Sequence, residues 1–185
     1  RDARMAAAIA AAVLTVGAAF LFQHNHTLGD ERELQAIVRS IAGEGLGRFF
    51  ERYASYPWLG DRHPPLVPVY FGLAARLVGT GLEPLRAFAL PAAVGVGLLT
   101  WRLGRRVYGP DGAAFGALAL VAMPYFFRLG TLVMLDMIFV LWTTLVFVWL
   151  VDLERRATMA RGLAIGLAAG LGLLTKYHFV VVAPA

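Results

Sequence analysis

Long apolar runs broken by short charged stretches set the pattern of this 185-residue chain. Residues 5–22, 86–101, 112–127, 137–151 and 162–183 are almost free of charge. At 1.5 Å of rise per residue, such runs approach the roughly 20 residues that cross a bilayer core as a helix. The pattern predicts an all-α, polytopic membrane protein, since an open sheet in lipid would leave its edge groups unpaired. Residues 66–79 are apolar too, but they carry Pro68 and Arg76. Their length suits a re-entrant or interfacial segment.

The polar exception is residues 27–66. Within it, Leu34, Ile37, Val38 and Ile41 recur at helical spacing, with Arg32, Glu33, Gln35 and Arg39 on the other faces. That predicts an amphipathic helix over 30–42 lying on the membrane. Asp30 stands as its N-cap, with Glu33 completing a capping-box-like start. Gly43, Gly45 and Gly47 are expected to break it. Phe49, Phe50, Tyr53, Tyr56 and Trp58 follow as an aromatic cluster suited to headgroup depth. The organisation expected is one transmembrane domain over residues 1–185. Residues 5–22 form the first span, 23–80 an outer loop with juxtamembrane helices, and 86–183 the further spans, the last breaking near Lys176. Residues 5–22 are long for a signal core, and no small-residue cleavage site follows. The chain opens at Arg1 and stops inside an apolar run at Ala185, so it is expected to be the N-terminal part of a longer one.

Composition sharpens the class. Hydrophobic residues make up 59% and charged residues 16%, with mean hydropathy +0.66; soluble domains carry about 25% charged residues. The net charge of +5 comes from sixteen arginines and one lysine. In this setting it points to cytoplasmic loops and lipid phosphates rather than nucleic acid. No cysteine is present, which excludes disulfides and thiolate metal sites. If 66–79 does not cross, Arg1, Arg4, Arg102, Arg105, Arg106, Arg155, Arg156 and Arg161 all fall inside. If it crosses, only Arg1, Arg4, Arg76, Arg86 and Arg128 do. The positive-inside rule prefers the first arrangement. That arrangement also puts Asp30, His63 and Asp136 on one outer face.

Several residues there suit chemistry. Asp30 and Glu31 are carboxylates at a helix start, read either as caps or as a catalytic base. His63-Pro64-Pro65-Leu66 is a stiff corner, since each proline fixes its own φ and extends the residue before it. Arg128 and Asp136 flank a short turn at the membrane edge, where ionisable groups are paired or functional. An Arg128–Asp136 ion pair is the plain reading. Lys176 either snorkels from a helix end or meets a lipid phosphate. His24 and His26 are two histidines without a third ligand at zinc spacing, and read as ordinary loop residues. No cofactor is named by the residues, and a divalent metal requirement is left open.

In order and spacing these pieces resemble the dolichyl-phosphate-mannose protein mannosyltransferase family, which includes the lipid A aminoarabinose transferases and related C-type membrane glycosyltransferases. The matching pieces are Asp30-Glu31, His63-Pro64-Pro65-Leu66 with Tyr70, and Gly81-Leu82-Glu83-Pro84-Leu85-Arg86. The turn from Arg128 to Asp136 and Gly170-Leu171-Gly172-Leu173-Leu174-Thr175-Lys176 complete the set. Where the family often has glycine after the Thr-Lys pair, Tyr177 stands here. The resemblance implies a multi-pass protein of the bacterial inner membrane with its site on the outer face. It would move a sugar from a polyprenyl-phosphate carrier to a lipid, glycan or protein acceptor, with inversion. Asp30, Glu31 and Asp136 are the catalytic candidates, and Asp30 is preferred as base. His63, Arg128 and Lys176 are the candidates for the donor phosphate, as cations for a charged leaving group. A polytopic transporter or a non-catalytic assembly subunit is the alternative. Against the transporter, the charges sit at span ends and no matching halves appear.

Overall fold

The computed structural model describes residues 2–23, 29–59 and 63–182, and every regular element among them is helical. His24, His26, Thr27, Leu28 and residues 60–62 lie outside the described residues. The elements are α1 (Asp2–Gln23), α2 (Gly29–Glu51), a 3-10 turn (Tyr53–Ser55), α3 (Leu66–Val78), α4 (Leu82–Ala87) and α5 (Leu90–Val107). They continue with α6 (Gly109–Val121), α7 (Pro124–Gly130), α8 (Asp136–Arg155), α9 (Met159–Leu173) and α10 (Phe179–Val182).

Among the described residues, three stretches are long and apolar enough to cross a membrane: Asp2–Leu21, Leu82–Val107 and Asp136–Arg155. The run at 112–127 is not one straight helix. It splits into α6 and α7, bent by 69°. Pro124 explains the break: it has no N–H to give the preceding turn, and it holds Met123 extended at φ −86°, ψ 110°. If the bent pair crosses as one span, it makes a fourth. Helix α9, with 15 residues, is shorter.

The amphipathic helix is present, and Leu34, Ile37, Val38 and Ile41 are its buried face. It starts one residue earlier than expected, at Gly29, so Asp30 lies in the first turn rather than at the N-cap. It also runs further. Of the three glycines only Gly45 leaves helical geometry, at φ 92°, ψ 168°. A glycine with ordinary helical dihedrals costs only about 1 kcal/mol. Gly43 and Gly47 therefore pass, and Gly45 kinks the helix so that Phe49 turns back into the core. Arg76 of α3 donates to the Ile41 carbonyl at 3.2 Å beside the kink.

Helix α3 has 13 residues, roughly 20 Å, against a core of about 30 Å. Both flanks of α3 are tied to α2. Ahead of it, Trp58 reaches Asp30; after it, Gln35 Nε2 donates to the Thr80 carbonyl at 3.0 Å. The chain thus returns along α2 before descending into α5. Small residues allow the close crossings. A Cβ on Gly72 would lie 2.5 Å from Ile41 Cγ2, and one on Gly104 of α5 would lie 2.8 Å from the Cα of Ala113 in α6.

Candidate active site

At one end of the bundle the first turn of α2, the corner before α3, the start of α8 and the break after α9 come together. Glu31 is fully buried there. Its Oε1 accepts from Arg86 Nε at 2.8 Å and from the Val133 amide at 3.0 Å, and its Oε2 accepts from Arg86 Nη2 at 2.6 Å. This bidentate pair fastens α2 to α4 and to the 131–135 turn that delivers Asp136. It satisfies both oxygens of Glu31, which leaves them closed to solvent. Asp30, one residue earlier, is exposed and takes a long 3.4 Å hydrogen bond from Trp58 Nε1.

A run of contacts leads from Asp30 to Lys176. The Trp58 ring lies 4.3 Å from the imidazole of His63. Tyr53 donates to the His63 carbonyl, and its phenol neighbours that of Tyr177. Burial first, and Tyr177 second, push the Tyr53 phenol up to about 12, so it stays a donor at neutral pH. The two prolines then turn the chain, and the Leu66 amide donates to the Leu174 carbonyl at 3.1 Å. This last bond fixes the corner against the α9–α10 break.

Lys176 sits in that break, as the sequence expects. Its ammonium donates to Asp136 Oδ1 at 3.0 Å and lies 5.9 Å from the Phe139 ring centroid. Asp136 therefore pairs with Lys176 rather than with Arg128. Residues 131–135 separate the end of α7 from the start of α8, and the Asp136 carboxylate is taken by Lys176. Arg128 is exposed, and no ion pair of its side chain exists among the described residues. Side chains of the Lys176–Asp136 pair are 26% and 29% exposed, so the pair is accessible. An apolar groove of about 230 Å³ lies between α3, α5 and α8, lined by Leu66, Val67, Tyr70, Ile138, Leu141 and Trp142 among others. Trp142 Nε1 is buried there with no acceptor among the described residues.

Of the six candidates, the structure thus pairs Asp136 with Lys176 and links Asp30 to His63 through Trp58. It buries Glu31 and leaves Arg128 apart. Sequence reasoning missed Arg86 as the buried partner of Glu31, and Tyr53 and Tyr177 as the tie to His63. For Arg86 a signal existed, because a charge at the head of the apolar run 86–101 requires a partner. Among the described residues no three His, Asp or Glu side chains come together to hold a metal ion.

The family model for dolichyl-phosphate-mannose-protein mannosyltransferase matches residues 62–185, from the His63 corner through Lys176. The chain is also 31% identical over 162 residues to the undecaprenyl phosphate-alpha-4-amino-4-deoxy-L-arabinose arabinosyl transferase of Edwardsiella ictaluri. That alignment covers 83% of this chain and 27% of the relative, so the chain spans about a quarter of that protein's length. No solved structure matches it. With two thirds of its residues matched by the family model, this helical membrane chain belongs to the dolichyl-phosphate-mannose-protein mannosyltransferase family.

Proposed function

We propose that the protein containing this chain transfers a sugar from a polyprenyl-phosphate carrier to an acceptor at the extracytoplasmic face of the bacterial inner membrane. The observation that carries this reading is the accessible Lys176–Asp136 pair in a helix break, in a chain whose α3, α5 and α8 also enclose an apolar groove. A prenyl-phosphate donor needs such a combination: lipid contact for its tail and a cation for its phosphate. Lys176 exchanges part of its contact with Asp136 for the donor phosphate, and the exposed Arg128 supplies a second cation. The acceptor oxygen attacks the anomeric carbon as the bond to the phosphate oxygen breaks. The electron pair leaves with prenyl phosphate, and a single displacement of this kind inverts the centre. The acceptor's proton passes to a carboxylate, for which Asp30 is the exposed choice. Glu31 acts as a positioning residue, through Arg86 and Val133. His63 shapes the wall between Trp58 and the α3 corner.

The test uses the full-length protein in proteoliposomes with a labelled polyprenyl-phosphate sugar. Release of prenyl phosphate should depend on acceptor. Lys176→Ala and Arg128→Ala should each raise the donor KM, since losing a charge-assisted contact costs about 1.5–3 kcal/mol. Asp30→Asn should lower turnover by about 10²–10⁴-fold with donor binding nearly intact. Sugar crossing the membrane with no prenyl phosphate released would overturn the reading in favour of transport. Unchanged kinetics in Asp30→Asn with a dead Asp136→Asn would move the base to Asp136.

A further inference from the structure

The opposite end of the bundle holds a polar cavity of about 560 Å³, between the start of α1 and the ends of α5 and α8. Its walls are Asp2, Trp101, Arg102, Arg105, Arg106 and Arg155. Asp136 and Asp152 lie at the two ends of α8, about 24 Å apart along its axis, so this cavity is separate from the Lys176 site. The guanidinium groups are held in place. Arg105 pairs with Asp2 and lies 5.4 Å from the centroid of the Trp101 ring. Arg102 and Arg106 both reach the buried Asp152, at 2.9 and 3.2 Å. Arg155 donates to the Arg106 carbonyl at 2.6 Å.

Four guanidinium groups thus face two carboxylates, an excess of two positive charges around open space. A network serving stability alone gains by balancing its charges, because the surplus cations repel one another. Arranged guanidinium groups at a membrane surface match phosphate oxygens in shape and charge. A second feature gives the ligand's other half. An apolar groove of about 340 Å³ between α1 and α6 is lined by Met5, Ile9 and Ala12, with Leu118 and Val121 opposite. Met5 is one helical turn from Asp2, so the groove begins near the charged cavity. It then runs about 10 Å along α1 toward the bilayer interior.

We propose that this end binds one anionic phospholipid, with its phosphate headgroup on Arg102, Arg105, Arg106 and Arg155 and an acyl chain along the α1–α6 groove. The bound lipid joins α1, α5, α6 and α8 without entering the transfer site.

Native mass spectrometry of the full-length protein tests this, using micelles that carry equal amounts of phosphatidylglycerol and phosphatidylcholine. The wild type should retain one phosphatidylglycerol in preference. Arg155→Gln, which gives up one bond from an exposed side chain, should weaken retention about fivefold, and Arg102→Gln with Arg155→Gln about 30-fold. Arg155→Lys should keep most of it, and Arg52→Gln, at the other end of the bundle, should change nothing. Should the double variant fail to fold, Arg155→Gln against Arg155→Lys decides. Equal retention of both lipids, or an Arg155→Gln variant that binds as the wild type does, overturns the proposal. So does soluble glycerol phosphate displacing the lipid at equimolar concentration, which would make this a site for free phosphate.

Discussion

Asp30 and Glu31 are adjacent carboxylates with opposite surroundings. Consecutive residues on a helix point about 100° apart, so one faces Arg86 in the core and the other faces the solvent-side wall with Trp58. Removing the charge of Glu31 leaves Arg86 buried without its counter-ion, which typically costs about 3–5 kcal/mol. Glu31→Gln should therefore lower thermal stability and yield in detergent, whereas Asp30→Asn should stay within about 0.5 kcal/mol of wild type. A Glu31→Gln protein that is fully stable yet inactive would assign Glu31 a chemical role instead. Tyr53 offers a titration. With its pKa raised to about 12 from 10.0, the folded state favours the protonated phenol. Its contribution to stability is present in full below pH 10 and is lost as the pH rises through about 12. Ultraviolet titration of wild type against Tyr53→Phe should give a difference curve with its midpoint near 12; a midpoint near 10 would mean the phenol is not held by burial and Tyr177. The Asp-Glu pair was legible as a pair of interest. Which member is buried was not, because that depends on where α4 and the 131–135 turn dock.

At the scale of elements, breaks matter more than helices. The α9–α10 break carries Thr175 and Lys176, and it closes because Phe179 folds back over Gly172. A Cβ on Gly172 would lie 2.3 Å from the Phe179 ring, and that ring is 1% exposed. Gly172→Ala should push Phe179 out and shift the turn, at a cost of about 1–3 kcal/mol. Donor KM should rise along with the loss of thermal stability. Gly170→Ala is the control: nothing lies within 4 Å of its Cβ position, and alanine favours the helix by about 1 kcal/mol. Equal behaviour of the two variants would detach the turn from Phe179. The break near Lys176 was legible from a lone charge inside an apolar run. The α6–α7 bend escaped the reading of 112–127 as a single segment, although Pro124 was in plain view. Hydropathy averages over a run, and proline acts through one missing N–H and one restricted neighbour.

At the scale of the molecule, charge separates the two ends. Arg102, Arg105, Arg106 and Arg155 gather with Asp2 and Asp152, while Glu31–Arg86 and Lys176–Asp136 gather at the other. Between them the spans expose large apolar side chains such as Phe115, Leu118 and Leu163, which suits lipid and would be costly in water. In the proposed orientation, which the positive-inside rule favours, the arginine-rich end faces the cytoplasm. In intact cells, an impermeant thiol reagent should label a cysteine at Ser55 and spare cysteines at Thr158 and Gly109. Labelling at Gly109 would mean that α3 crosses, and the single-face site would be lost.

What the sequence determined by itself was the solvent. Apolar runs of helical length with charges at their ends admit only helices in a bilayer, because every backbone group in lipid must be bonded within its own segment. It also determined the buried face of α2, since that follows from a 3.6-residue period. Only the tertiary structure decided which charges meet. Lys176 reaches Asp136 across 40 residues, and Arg86 reaches Glu31 across 55. Neither separation has a period that a linear pattern can reveal. Such partners depend on how closely the helices approach, and at Gly72, Gly104 and Gly172 that approach is set by the absence of a single methyl group.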